Sequence, residues 1–322
     1  MQAVLVAGGA GFIGSHLCKK LLDGGYGVIC VDNLITGNKS NIENLISNSR
    51  FTFIEEDITG SKFSPRGEAG KVHPDYIFHL ASPASPNAKS PKSYINHPIE
   101  TLLANSLGTY NLLQLAIKKK SVFLFTSSSE VYGDPTVSPQ NEDYFGNVNP
   151  NGARSVYDEG KRFGEAMVMA YVRKHNIDAR IVRIFNTYGP KMQPDDGRVV
   201  SNFINQAIEN KPMAIYGKGT QTRSFCYIDD MVNGLCSAMF TKRTKGEVIN
   251  IGNPEEKTVL ELANIIKKMT NSSSSIVFED LPKDDPKVRK PDIEKAQKLL
   301  SWQPKVSLEE GLVKTIEYFK NI

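Results

Sequence analysis

The chain has 322 residues, 39 of them Lys or Arg against 35 Asp or Glu, for a formal net charge of +4. These charges are dispersed, and the longest basic run, Lys118-Lys-Lys120, reads as a helix end, which argues against a nucleic-acid or membrane-surface partner. No signal peptide or 18-residue apolar span precedes the first expected strand, and the four cysteines (Cys18, Cys30, Cys226, Cys236) lack C-x-x-C spacing, so a cytoplasmic protein with reduced core thiols and no metal site is expected.

In chain order, Ala3-Val-Leu-Val-Ala7 is an apolar strand that runs directly into Gly8-Gly-Ala-Gly11-Phe-Ile-Gly14, and apolar residues then recur at helical spacing from Ser15 to Leu22. Strand, glycine turn and helix in that order form a dinucleotide-binding pattern. Gly8 suits the positive φ of a tight turn, Gly11 has no Cβ to hold the backbone off a diphosphate, and Gly14 lets the helix lie close to the strand. The helix N-terminus at Phe12 and Ile13 then faces the phosphates. A second apolar run, Val28 to Val31, ends in Asp32, eighteen residues past Gly14. A carboxylate there accepts hydrogen bonds from an adenosine ribose and repels a 2′-phosphate, which favours NAD over NADP. A flavodoxin-like unit without a dinucleotide is the plain alternative.

Strand signals at 51–54, 76–80, 122–125 and 179–184 alternate with helical ones and predict an α/β fold, a doubly wound parallel sheet of the Rossmann type. The helical patterns over 94–118 and 155–175 are longer than a crossover requires, so each offers a second buried face suited to an oligomer contact. Polar stretches at 61–70 and 87–93 predict surface loops. Beyond Pro190 the alternation breaks into a helix near 199–208, short strands at 213–216 and 225–227, a helix from Asp229, a strand at 248–251, a helix after Thr258 and a strand at 276–278. The expected organisation is a NAD-binding domain over 1–190 and a smaller, mixed C-terminal substrate lobe over 191–322, interleaved near the boundary.

The strand at 122–125 leads into Thr126-Ser-Ser-Ser-Glu130-Val-Tyr-Gly133, which puts hydroxyls and a carboxylate at the carboxyl edge of the sheet, where ligands bind. Tyr157 and Lys161 are four residues apart and share one helix face. A phenol near its ordinary value of about 10 is no base at neutrality, but a Lys161 cation and an oxidised nicotinamide both favour the phenolate. Ser128 hydrogen-bonds the same substrate hydroxyl in this scheme. Alone, the Tyr157/Lys161 spacing reads as an exposed helix face; the glycine turn and the serine-rich strand end give it meaning.

At these residues the chain resembles, nearly end to end, the extended short-chain dehydrogenase/reductase superfamily that acts on nucleotide sugars. The resemblance includes Asp32-Asn-Leu-Ile-Thr-Gly37, Asp57-Ile58, His79-Leu-Ala81 and Asn186-Thr-Tyr-Gly-Pro190. It implies that Asp32, Asn33, Thr36, Gly37, Asp57 and Ile58 hold the adenosine of NAD, and that Leu80, Ala81, Thr126, Thr187 and Arg198 complete the cofactor site with the glycine turn and the Tyr157/Lys161 pair. More narrowly, Ser82-Pro-Ala-Ser-Pro86, Tyr132-Gly-Asp-Pro135, Asn147-Val-Asn-Pro150, Tyr157–Arg162, Asp196-Gly-Arg-Val-Val-Ser-Asn-Phe203, Gly219-Thr-Gln-Thr-Arg-Ser-Phe225 and Arg289-Lys-Pro-Asp292 are similar to the UDP-glucuronate decarboxylases.

Within the superfamily the telling residue is Glu130. Dehydratases carry an Asp-Glu pair there and simple 4-epimerases usually no carboxylate, so Ser129-Glu130 follows the decarboxylase pattern; its structural alternative is a Glu130 that caps a turn. The resemblance implies Ser128, Glu130, Tyr157, Lys161 and Arg223 as catalytic. It further implies Glu130, Asn186, Arg198, Asn202, Tyr216, Gln221, Arg223 and Arg289 as holding a UDP-sugar, for which the arginine fork suits phosphate oxygens. In the implied reaction Tyr157 takes the C4 hydroxyl proton as hydride leaves for NAD, the resulting β-keto acid loses carbon dioxide, and proton and hydride return give a pentose with NAD regenerated. Two departures stand out: the stretch 87–98 is longer than in the decarboxylases, and Glu100 replaces a common Lys. A UDP-sugar or uronate 4-epimerase, a decarboxylase of a 2-acetamido UDP-uronate and a catalytically silent nucleotide-sugar binder are the alternatives. By the same resemblance the two long helices pair into a homodimer.

Overall fold

Alternation along the first strand divides the molecule. Successive side chains of a strand point to opposite faces, so Val4 and Val6 enter one core and Leu5 and Ala7 another. A computed structural model describes residues 1–60, 63, 72–280 and 288–322. Its strands are β1 (Ala3–Ala7), β2 (Gly27–Asp32), β3 (Phe51–Glu55), β4 (Tyr76–His79), β5 (Val122–Ser128), β6 (Ala179–Ile184), β7 (Thr187–Tyr188), β8 (Met213–Tyr216), β9 (Thr222–Ser224), β10 (Cys226–Tyr227), β11 (Val248–Ile251), β12 (Glu256–Thr258), β13 (Ile276–Glu279) and β14 (Val288–Arg289). The order β3-β2-β1-β4-β5-β6-β11, parallel throughout, is the doubly wound sheet expected. The surface loop expected over 61–70 lies outside the described residues apart from Phe63.

Helices cover both faces of the sheet. On one side lie α1 (Phe12–Asp23) and a later helix, Ile228–Phe240, whose Leu17, Leu21, Met231 and Leu235 are buried with Val4, Val6, Cys30 and Ile249. On the other side lies α2, which runs from Pro98 to Lys119 with one wider π turn at Ala104–Gly108. Beside it lies α3 (Ser155–His175). Leu112, Leu115 and Val168 of these two helices pack on Leu5, Phe123 and Ile181. The helix expected from 94 begins at Pro98 because proline fits the first helical position and disfavours a helical residue before it.

Val248–Ile251, read from sequence with the smaller lobe, is instead the seventh strand of the main sheet, paired with β6. Its apolar residues show a buried strand but not which neighbour it chooses; the Ile228–Phe240 helix carries the chain back across the sheet, as a parallel connection requires. The smaller lobe keeps three short sheets: β12-β9-β14, β10-β7 and β13-β8. Its Phe203, Ile204, Leu262 and Leu312 belong to the same core as Val4 and Val6, so the two lobes share one buried apolar body.

Candidate active site

A cleft of about 590 Å³ opens at the carboxyl edge of the sheet, between the glycine turn, the ends of β4 and β5, α3 and the smaller lobe. Eight cationic side chains line it, Lys89, Lys92, Arg154, Lys161, Lys191, Arg198, Arg223 and Arg289, against one carboxylate, Glu130, among the described residues. Walls of one sign focus field lines on an oppositely charged ligand, so the cleft suits polyanions.

One end is the glycine turn. Gly8 has φ +81°, and a Cβ there stands 2.7 Å from the Ala81 nitrogen; at Gly14 it stands 2.1 Å from the Gly8 carbonyl oxygen. No side chain caps α1, whose first residues Phe12, Ile13 and Gly14 line the cleft with Gly8 and Gly11. Their first-turn N–H groups and the absent Cβ atoms form a cradle that fits the diphosphate of NAD. Thr36, Leu80, Thr126 and Thr187 line the same cleft. Asp32 sits behind it: its oxygens accept from the backbone nitrogens of Ala10 and Leu34, both at 2.9 Å, and each keeps a further lone pair for a ribose hydroxyl. Gly37 stands against that carboxylate, with room for no Cβ. Asn33 donates to Asp57 at 3.0 Å, Asp57 also holds Thr59, and Ile58 is buried in the second core. Asp32, Asn33, Gly37, Asp57, Ile58 and Ala81 lie in the loops beside the glycine turn and fix their shape.

The other end is assembled from remote segments. Ser128 closes β5, and its hydroxyl accepts from the Glu130 nitrogen at 3.2 Å. Ser128 therefore caps the turn, and the Glu130 side chain is free to point elsewhere: Arg154 donates to it at 2.6 Å and Arg289 at 3.1 Å. Arg289, 1% exposed, also donates to the Ser129 carbonyl. It is register partner to Arg223 on the neighbouring parallel strand β9, which sets the two guanidinium groups on one sheet face. Burial alone lifts the Glu130 carboxyl, but Arg289, Arg154 and Arg223 outweigh it and hold it at about 2. Arg289, expected on the nucleotide, is here bonded to Glu130.

Tyr157 is buried, hydrogen-bonded to Ser128, and stacked on Tyr94 with ring centroids 5.0 Å apart. Burial pushes its phenol up to about 12, against the Ser128 bond and the Arg198 charge. Lys161 donates to the Thr126 carbonyl at 2.9 Å and lies 5.7 Å from the Tyr157 ring, and burial brings its ammonium down to about 7. The expected lowering of the phenol by Lys161 is thus not seen in these residues alone: both members are buried, and desolvation dominates.

The stretch 87–98 that sequence marked as long is part of the cleft wall. Ser85 donates to the Asp196 carbonyl, Asn87 to the Asp195 carbonyl at 3.2 Å and Ser90 to the Asp195 carboxylate at 3.1 Å, while Arg198 donates to the Ala84 carbonyl at 3.1 Å. These bonds tie the first domain to the smaller lobe and bring Lys89, Lys92 and Tyr94 to the cleft. Glu100, in the exposed first turn of α2, stays outside it. Asn186, Asn202, Tyr216 and Gln221 line the smaller-lobe side with Arg198. Asn202 donates to the Gly197 carbonyl and Gln221 to the Tyr216 carbonyl. Sequence reasoning missed Arg154, Tyr94, Lys89 and Lys92; Arg154 was findable, since it lies one residue before the helix of Tyr157.

Comparison with known proteins follows the same lines. Residues 4–252 match the NAD dependent epimerase/dehydratase family. The chain is 49% identical over 318 residues to UDP-glucuronic acid decarboxylase 1 of Danio rerio, covering 99% of this chain and 72% of that one. It is 48% identical over 318 residues to UDP-glucuronic acid decarboxylase 1 of Arabidopsis thaliana, covering 99% and 70%. Among solved structures, UDP-glucuronic acid 4-epimerase from Bacillus cereus, in complex with UDP-glucuronic acid and NAD, is similar with a TM-score of 0.86, 34% identity and 99% of both chains covered. UDP-glucose 4-epimerase from Thermotoga maritima is similar with a TM-score of 0.89, 33% identity and the same coverage.

Proposed function

Because the chain belongs to the NAD dependent epimerase/dehydratase family, we propose that it decarboxylates UDP-glucuronate to UDP-xylose. The observation that carries this reading is Glu130 held by Arg154 and Arg289 at the sugar end of the cleft. Bound in the glycine cradle, NAD supplies a reversible hydride acceptor whose positive charge favours the Tyr157 phenolate. Tyr157 removes the C4 hydroxyl proton, and Ser128 orients that hydroxyl. Lys161, fixed on the Thr126 carbonyl, lies beside the phenol ring and holds the end of β5 against α3. Oxidation at C4 makes the C5 carboxylate β to a ketone; carbon dioxide then departs, and its bonding pair moves into an enolate held by Tyr157 and Ser128. Arg223 and the Glu130 cluster face the leaving carboxylate, and a proton at C5 completes the step. Asn186, Arg198, Asn202, Tyr216 and Gln221 hold the nucleotide.

The relatives named as decarboxylases favour this reading over the 4-epimerases, which share the fold at lower identity. Incubation with NAD and UDP-glucuronate tests it by product mass. Loss of carbon dioxide is expected; an isomer of unchanged mass identifies a 4-epimerase, and unreacted ligand a silent binder.

We propose a cytoplasmic homodimer: no described helix is long and apolar enough to cross a membrane, and α2 and α3 expose Ile99, Leu102, Leu107, Tyr110 and Phe163, of which Leu102 and Phe163 line one shallow depression. Exposed apolar side chains on two neighbouring helices suit a second copy of the same helices. Sedimentation at micromolar concentration checks it, a monomer counting against the pairing.

A further inference from the structure

Arg289 stands on β14, a strand of two residues that pairs in parallel with β9, Val288 opposite Thr222 and Arg289 opposite Arg223. So short a ladder sets register weakly, and a slip of one residue turns a side chain to the opposite face. Yet the Arg289 guanidinium has to meet both the Ser129 carbonyl and the Glu130 carboxylate.

The contacts that hold it begin at the next residue. Gln140 is wholly buried; its backbone N–H donates to the Lys290 carbonyl at 2.8 Å, and its Oε1 accepts from the Lys290 N–H at 2.8 Å. The Gln140 carbonyl accepts from the Asp292 N–H at 2.8 Å. The side-chain amide also donates to the Val137 carbonyl at 2.7 Å, which fixes the direction of Oε1. The chain is thus clamped immediately after Arg289.

A second buried amide joins this clamp to the turn that carries Glu130. Asn250 of β11, also wholly buried, donates from Nδ2 to the Gln140 carbonyl at 3.0 Å and the Asp292 carbonyl at 3.2 Å, and its Oδ1 accepts from the Tyr132 hydroxyl at 2.9 Å. Tyr132 closes the turn Ser129–Tyr132, two residues after Glu130. Arg183, the register partner of Asn250 on β6, donates to the same hydroxyl at 2.9 Å and is itself held by both carboxylate oxygens of Glu165 on α3. Both donors and the carbonyl of the Asn250 amide are engaged, and a buried polar network satisfied in this way is rigid. The seventh strand of the main sheet therefore carries a strut between the turn with Glu130 and the segment with Arg289.

We propose that Gln140 and Asn250 are positioning residues for the carbon-dioxide step: they set Arg289 against Glu130 and so fix the cluster that faces the leaving carboxylate. The inference rests on the reaction proposed above. Neither residue lines the cleft, so both act through Arg289 and Glu130. The hydride step draws on Tyr157, Ser128 and Lys161, none of which the Gln140 clamp touches, and loss of the clamp therefore divides the two steps.

The test is Gln140→Met, which keeps the length of the side chain but removes the amide that accepts from Lys290 and donates to Val137. In a single turnover with NAD and UDP-glucuronate, reduced nicotinamide is expected to form at the wild-type rate and carbon dioxide to leave at least about 10-fold more slowly, as misplaced groups in a reacting site cause. Gln140→Glu keeps an acceptor at Oε1 and recovers part of that loss. A role in stability alone lowers the folded fraction, which reduces the amplitude of both steps and leaves the rate constants of the folded enzyme as in wild type. Tyr132→Phe removes only the hydroxyl at the other end of the strut; it is expected to show the same split and serves as the test where Gln140→Met fails to fold. Release of carbon dioxide by the variants at the wild-type rate constant, or equal slowing of both steps, overturns the proposal. Wild type that releases no carbon dioxide removes the reaction and this inference together; variants without the split beside an active wild type remove the positioning role alone.

Discussion

The two ends of the cleft are built by opposite strategies. The glycine turn offers a ligand only backbone N–H groups and missing Cβ atoms, supplied within residues 8–14. The sugar end relies on charged side chains drawn from the stretch 82–98, the end of β5, the start of α3, β9 and β14, with Ser129 and Arg289 in contact across 160 residues of sequence. A local device depends on the room left by single atoms. A remote one depends on the fold bringing charges together and keeping them paired, so damage at the two ends takes different forms.

The largest effect is expected where the ends meet. Tyr157→Phe keeps the stack on Tyr94 and the binding of both ligands but removes the proton acceptor for C4, and turnover falls by at least ~10²-fold in steady-state assays while cofactor titration stays near wild type. Near-normal turnover contradicts the assignment. Arg289→Met breaks the remote end by removing one partner of a buried carboxylate, with an expected cost of ~3–5 kcal/mol in denaturant unfolding. Gly14→Ala breaks the local end: its Cβ meets the Gly8 carbonyl oxygen at 2.1 Å, and the displacement of the turn is expected to cost ~1–3 kcal/mol and to weaken cofactor binding in a fluorescence titration without altering the Glu130 cluster. The smallest effect is a slope. Burial, joined by the Glu130 charge, raises the Asp158 carboxyl in the folded chain to about 8, so the folded state binds more protons than the unfolded one between about pH 4 and pH 8, and stability falls as pH rises across that window. Asp158→Asn lacks this fall, and its stability relative to wild type is expected to climb with pH in urea titrations.

Legibility in the sequence follows the same division. The glycine turn, β1, β6, α3 and the doubly wound sheet could be read directly because their signals are local: periodicity, glycine spacing and a strand feeding a helix. The membership of Val248–Ile251 in the main sheet could not, since an apolar strand does not announce its neighbour. Arg289 illustrates the limit at the site. Its motif marked it as a ligand-binding residue, but only three-dimensional packing sets it against Arg223 and Glu130. Helical spacing alone starts a helix at Tyr94; Pro98 moves that start and leaves Tyr94 on the cleft wall against Tyr157. Burial governs the phenol and the ammonium of the Tyr157/Lys161 pair, and burial of a given side chain is a property of the whole fold.

In the proposed reaction the Glu130 carboxylate at the remote end serves the loss of carbon dioxide and not the hydride step. A single turnover of Glu130→Gln with NAD and UDP-glucuronate, followed by absorbance of the reduced nicotinamide alongside release of carbon dioxide, tests it most directly. Oxidation is expected to proceed, because Tyr157, Lys161 and Ser128 are untouched, and reduced nicotinamide to accumulate while carbon dioxide appears slowly. Release of carbon dioxide at the wild-type rate, with no accumulating reduced nicotinamide, contradicts it and leaves Glu130 as a structural partner of Arg154 and Arg289.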